Sequence, residues 1–201
     1  MRKSIIGLFL LLLIMPLGFC AAQSASVVKL IQARGLVNTK EIGGSGLCVF
    51  SLWDKHKCSA LAADGSFSTV ISGARPQKIS LNDSKGSTRA LAIALPEDPD
   101  KIIFDAKSTA AALLFQDANL FRDSQVAKNY FMVMEKKKSF HDLVVFFQQE
   151  LPSKSLEELN NDAQCVKLLD RCSSEIFGND PAAIRNSLEK AKIRLEELFK
   201  E

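Results

Sequence analysis

The sequence predicts an α+β protein, an N-terminal antiparallel β-sandwich followed by a C-terminal helical bundle, and two patterns carry that prediction. Between residues 27 and 105, seven short apolar or alternating runs recur at roughly ten-residue spacing, each closed by Gly, Pro, Asn or Asp, which is the rhythm of a sandwich. After residue 105 the apolar period becomes helical, and capping residues stand before each run.

The candidate strands cover 27–37, 46–52, 58–62, 66–71, 77–81, 88–95 and 101–104. Asp64-Gly65 is the sharpest turn signal, because Gly accepts positive φ between flanking apolar residues. Leu91-Ala92-Ile93-Ala94-Leu95 is apolar on both faces, as in a central strand. Gly43-Gly44-Ser45-Gly46 lacks the Lys of a phosphate loop and the pattern of a nucleophile elbow, and is expected to be a flexible entry to a strand.

Beyond residue 105, Ser108 is expected to open a helix over 109–115, and Asp123 or Ser124 one over 125–136. Ser139 with Asp142 resembles a capping box before 143–151, Ser155 with Glu158 repeats the device, and Asp180 precedes a Pro at a first helical position. The last helix carries an apolar seam of Ile184, Leu188, Ala191, Leu195 and Leu198, expected to pack on 155–177 as a helical hairpin. Eight of the thirteen Phe follow residue 106, and Phe140, Leu143, Val144, Phe147 and Leu151 form one stripe widened by Val145 and Phe146. Such a stripe is the signature of a core; the same residues would also line the cavity of an apolar-ligand carrier.

Residues 1–22 have the form of a signal peptide: Arg2 and Lys3, an apolar run over 5–19, then small residues. That run is too short to cross hydrocarbon, and no later segment is apolar enough to do so, so the expected location is exported: periplasmic, cell-surface or secreted. Leu17-Gly18-Phe19-Cys20 also resembles a bacterial lipoprotein lipobox, with Cys20 as the lipidation candidate and Phe19 where a small residue is usual. The expected organisation is therefore a signal over 1–22, a β-sandwich domain over 27–105 and a helical domain over 106–201.

Removing Arg2 and Lys3 lowers the formal charge from +3 to +1. With no basic field in either half, nucleic acid is not an expected partner; the partner class is an unknown protein or envelope component. The one basic run, Lys136-Lys137-Lys138, suits a helix C-terminus.

Cys48 and Cys58 flank a polar stretch between two apolar runs and are the disulfide candidates of a strand-turn-strand. Cys165 and Cys172, on one continuous helix, would have Cα atoms ~10.5 Å apart, too far to bridge, so they pair only if the helix breaks between them; the alternative is two buried side chains of one helical face, and the sequence leaves their pairing open. Neither His56, near Asp54, nor His141, beside Asp142, belongs to a recognisable metal or catalytic constellation. No catalytic residue, metal or cofactor is expected; a hydrolase using Cys58 or a Ser with His56 or His141 is the enzyme-class rival. The acidic turn Glu97-Asp98 with Asp100 is too short for a calcium loop, and Asn82-Asp83-Ser84 matches a glycosylation acceptor that matters only in a eukaryotic host.

Ala62-Ala63-Asp64-Gly65-Ser66-Phe67, followed by Val70-Ile71-Ser72-Gly73, resembles the carboxypeptidase-regulatory-like or transthyretin-like β-sandwiches of bacterial exported proteins. The small-residue junction from Ser108 to Phe115 resembles the helix after such sandwiches in some exported bacterial proteins. The resemblance implies a non-catalytic role in adhesion, assembly or ligand display, and brings no active-site residues.

Overall fold

The computed structural model describes residues 29–53, 58–115 and 124–177. Among these residues it has mixed α+β content, with two sheets and five helices, the helices C-terminal to the strands. All seven expected runs contain strands: β1 Leu30–Val37, β2 Cys48–Phe50, β3 Ser59–Ala60, β4 Ser66–Ser72, β5 Gln77–Asn82, β6 Thr88–Ala94 and β7 Ile102–Phe104. The helices are α1 Ala106–Leu114, α2 Ser124–Met134, α3 Lys138–Glu150, α4 Leu156–Asn160 and α5 Ala163–Phe177.

A three-stranded sheet runs in the order β4-β1-β7 and a four-stranded sheet in the order β3-β2-β5-β6. One pairing departs from the antiparallel expectation: β7 lies parallel to β1, with Leu36 opposite Ile103. Alternation could not reveal this, because parallel and antiparallel partners place alternate residues on the same faces. The turn at Asp64-Gly65 forms, with Gly65 at φ 84° and its N–H donating to the Ala62 carbonyl at 2.9 Å, but β3 and β4 belong to different sheets. It is a crossing between sheets rather than a hairpin.

Residues 91–95 need a larger correction. β6 is an edge strand of its sheet, not a central one. Its two apolar faces serve two cores. Ala90, Ala92 and Ala94 are buried in a strand core with Ala33, Ile71, Ile79, Leu81 and Phe104. Leu91, Ile93 and Leu95 pack against a helical core that holds Phe115, Phe140, Leu143, Phe147 and Leu151. The open edge is occupied by α1: the Ser108 and Thr109 hydroxyls each donate to the Leu91 carbonyl at 3.3 Å, and Thr109 Oγ1 accepts from the Leu91 N–H at 3.3 Å. Covering an edge in this way removes a template for pairing with another chain.

Helix starts follow the expected chemistry in some places and not in others. Asp105, not Ser108, caps α1: its carboxylate accepts from the Ser108 N–H at 2.6 Å while Ser108 Oγ accepts from the Asp105 N–H at 2.9 Å. α2 starts at Ser124, while Asp123 lies outside the described residues. Ser139 is no cap. It lies inside α3, fully buried, and donates to Glu175 Oε2 of α5 at 2.7 Å, so the expected capping box with Asp142 gives way to an interhelical contact. Lys136 and Lys137 follow α2, where cations suit the dipole, whereas Lys138 opens α3 at its unfavourable end. Ser155 and Glu158 form the expected capping box on α4. Asp180 and the seam from Ile184 to Leu198 lie outside the described residues.

The two cores are also pinned by polar contacts. Arg89 of β6, 8% exposed, donates from Nε to the Gly43 carbonyl at 2.9 Å and from Nη2 to the Leu151 carbonyl at 3.2 Å. The Gly43 N–H donates to the same Leu151 carbonyl at 3.3 Å. A Cβ on Gly43 would lie 1.7 Å from the Pro152 carbonyl oxygen. The glycine run is therefore a close docking point against the end of α3, not a loose strand entry. Glu41 Oε2 accepts from the Ala106 N–H at 3.0 Å, satisfying one of the free donors at the start of α1.

Candidate functional site

A groove of about 290 Å³ opens at the surface beside the helical core, to which Ile93, Ala111, Phe131 and Phe140 belong or against which they pack. Its floor combines Ile93 of β6, Ile103 of β7, Ala111 of α1, Phe131 of α2 and Phe140 of α3. Ile103 sits there because three consecutive apolar residues occupy β7: Ile102 and Phe104 turn into the strand core, so pleat geometry forces Ile103 outward, where it is 50% exposed. Its register partner Leu36 is also exposed, which extends the apolar surface past the groove along β1.

Charge sits at the rim. Lys107 pairs with Glu135 at 2.5 Å, joining α1 to the turn after α2. Lys101 also lines the groove; its Nζ is 3.0 Å from Asp98, whose other oxygen takes Lys128 of α2 at 2.8 Å. Hydrogen bonding to Lys128 and then to Lys101 holds the Asp98 carboxyl below its usual range, and Asp98 in turn raises Lys128. An apolar floor with a few placed polar groups is the general form of a ligand or peptide site.

Cys48 and Cys58 lie at disulfide distance, with Cα atoms 5.4 Å apart. They are not directly opposite: Cys48 pairs in register with Ala60, so the bridge runs diagonally across β2 and β3. It clamps the base of a loop on which Leu52 and Trp53 are exposed, while Asp54 and His56 lie outside the described residues, as does Cys20. Cys165 and Cys172 are buried free thiols on one face of α5, and burial pushes both up to about 11. Such groups stay protonated at neutral pH and act as core side chains.

His141 is exposed, and its Nε2–H donates to the Glu135 carbonyl at 2.9 Å, so this imidazole braces the turn between α2 and α3. Among the described residues no group of three or more His, Cys, Asp or Glu is arranged to hold a metal ion, and no helix is long and apolar enough to cross a membrane. Phe115, Phe140, Phe146 and Phe147 are buried in the helical core; of the Phe stripe only Phe140 reaches the groove, joined there by Phe131. The chain matches no protein-family model, and no curated protein or solved structure matches it significantly.

Proposed function

We propose that the protein is an exported, non-catalytic binding module of the cell envelope or extracellular space, a β-sandwich followed by a helical bundle, whose groove receives the apolar part of a partner. The groove is the observation that carries this reading: Ile93, Ile103, Ala111, Phe131 and Phe140 form an open apolar floor under a charged rim. The disulfide-distance pair Cys48 and Cys58 and the signal-like residues 1–22 support the compartment. A volume of about 290 Å³ lies at the lower end of small-molecule sites, which run from ~300 to ~1,000 Å³, and suits one or two bulky side chains of a protein partner. The second reading, carriage of a small apolar ligand, draws on Phe131 and Phe140 and uses the same groove.

Titration with the neutral fluorescent probe N-phenyl-1-naphthylamine tests the site. The wild-type chain binds it saturably, and Ile103→Glu, which places a charge on an already half-exposed floor position, weakens binding at least ~10-fold, the ~1.4 kcal/mol expected from lost apolar contact. Absence of saturable binding, or equal affinity in the variant, refutes the assignment.

A further inference from the structure

Strand register brings four chain segments to one end of the two sheets. β1 begins there with Leu30 opposite Ser72, the last residue of β4, residues 73–76 lead from β4 into β5, and β2 runs toward the start of β5 with Phe50 opposite Ser80. Three large apolar residues stand exposed at this end: Leu30 and Leu52, each 50% exposed, and Trp53, 40% exposed. The buried Ser51 hydroxyl donates to the Val70 carbonyl of β4 and accepts from the Trp53 N–H at 3.2 Å, and the Cys48–Cys58 pair closes the loop behind them. The Gly73 N–H donates to the Lys29 carbonyl at 2.7 Å, which holds the start of β1 against the turn between β4 and β5. Lys29 and Arg75, on these same two segments, are exposed, and no acidic residue occurs in 29–32, 50–53 or 72–78. The acidic turn 97–100 follows β6, and its Asp98 already carries Lys101 and Lys128.

We propose that this end docks on an anionic lipid surface, with Leu30, Leu52 and Trp53 entering the interfacial layer and Lys29 and Arg75 resting on lipid phosphates. Tryptophan concentrates at membrane interfaces because its ring is apolar and its one N–H is polar. Two exposed leucines beside it supply apolar area that water otherwise wets. Each cation close to an anionic leaflet strengthens binding about fivefold. The path of the chain selects a bilayer as the occupant. β1 begins at this end, so the apolar run over 5–19 lies only ten residues, at most ~36 Å of extended chain, from Lys29. A bilayer that holds that run keeps this end within reach of its surface. The groove plays no part in the inference, so binding there can fail while docking here stands.

Trp53 is the single tryptophan of the chain, so its fluorescence reports on this end alone. The full chain is mixed with phosphatidylcholine vesicles that contain or lack phosphatidylglycerol, and emission is read with and without brominated acyl chains. The apolar run over 5–19 brings the chain to either vesicle by itself, so the readout is the environment of Trp53 and not co-sedimentation. On anionic vesicles Trp53 emission moves to shorter wavelength and brominated lipid quenches it; on neutral vesicles both effects fall several-fold. Leu30→Glu with Leu52→Glu, at two already half-exposed positions, abolishes the shift and the quenching. Lys29→Gln with Arg75→Gln, which leaves the apolar residues in place, lowers the response on anionic vesicles to the neutral level. Trp53 emission that anionic vesicles leave unchanged, equal responses on the two vesicles, or a full response in the double glutamate variant overturns the proposal.

Discussion

Replacing Arg89 by Met tests whether the strand and helical cores are locked together by one side chain. The substitution keeps the buried stem and removes the guanidinium, which makes two hydrogen bonds to carbonyls, at 2.9 Å to Gly43 and 3.2 Å to Leu151. Hydrogen bonds to a charged group contribute about 1.5–3 kcal/mol each, or roughly 3–6 for the pair. Removing a buried cation returns part of its desolvation cost, and Leu151 keeps its bond from the Gly43 N–H, so the net loss is about 2–4 kcal/mol. Gly43→Ala attacks the same junction from the other side, since its Cβ collides with the Pro152 carbonyl. The loop must lift off Leu151 and carry its carbonyl away from Arg89. The two variants share one set of contacts, so the double variant loses at least about 1 kcal/mol less than the two single losses together. Urea unfolding monitored by far-UV circular dichroism measures all three. A loss below about 0.5 kcal/mol in Arg89→Met, or strict additivity, refutes the junction.

Reduction of the Cys48–Cys58 bridge, or Cys48→Ser with Cys58→Ser, reopens a loop with a sequence separation of 10 and lowers stability by about 3 kcal/mol on the loop-entropy estimate. Calorimetry should show a fall in Tm of about 5–10 °C, and an unchanged Tm would show the bridge to be energetically idle. The half-buried Lys78 amine, pushed down to about 8 by burial, gives a pH signature. Because the unfolded amine titrates near 10.4, the unfolded chain binds the extra proton between about pH 8 and 10, and stability rises through that window by about 1–3 kcal/mol. Lys78→Met flattens that rise; a variant with the same profile as wild type assigns the effect elsewhere. Cys165 and Cys172 resist Ellman's reagent in the native protein at pH 8 and react only after unfolding, whereas rapid native labelling would contradict their burial.

Strands were legible wherever one face is buried. In β4 and β5 inward residues alternate with outward ones, and the Gly, Pro and Asn breaks mark the ends. Partnership was not legible. Residues 91–95 have the composition of a central strand because two cores press on β6, one of them built from helices far along the chain. Ser108 and Ser139 show the same limit at helix starts. A Ser before an apolar run is consistent with an N-cap, an N3 position or a buried interhelical donor, and only the tertiary structure chooses among them. The groove was the least visible, since its floor gathers single residues from two strands and three helices, each unremarkable in its own segment. One local signal pointed to it: in Ile102-Ile103-Phe104 a strand must turn one large apolar side chain outward. Arg89 and Lys107 carried no such signal, because an isolated cation has the same sequence appearance whether it faces solvent, a carbonyl pair or a carboxylate.

Methyl NMR of isoleucine-labelled protein titrated with N-phenyl-1-naphthylamine tests the groove most directly. Ile93 and Ile103 line it, whereas Ile71 and Ile79 are sealed in the strand core. The predicted result is saturable shifts of the Ile93 and Ile103 methyls with Ile71 and Ile79 unmoved. Shifts confined to other isoleucines, or none at saturating probe, would contradict the assignment of this groove as the binding site.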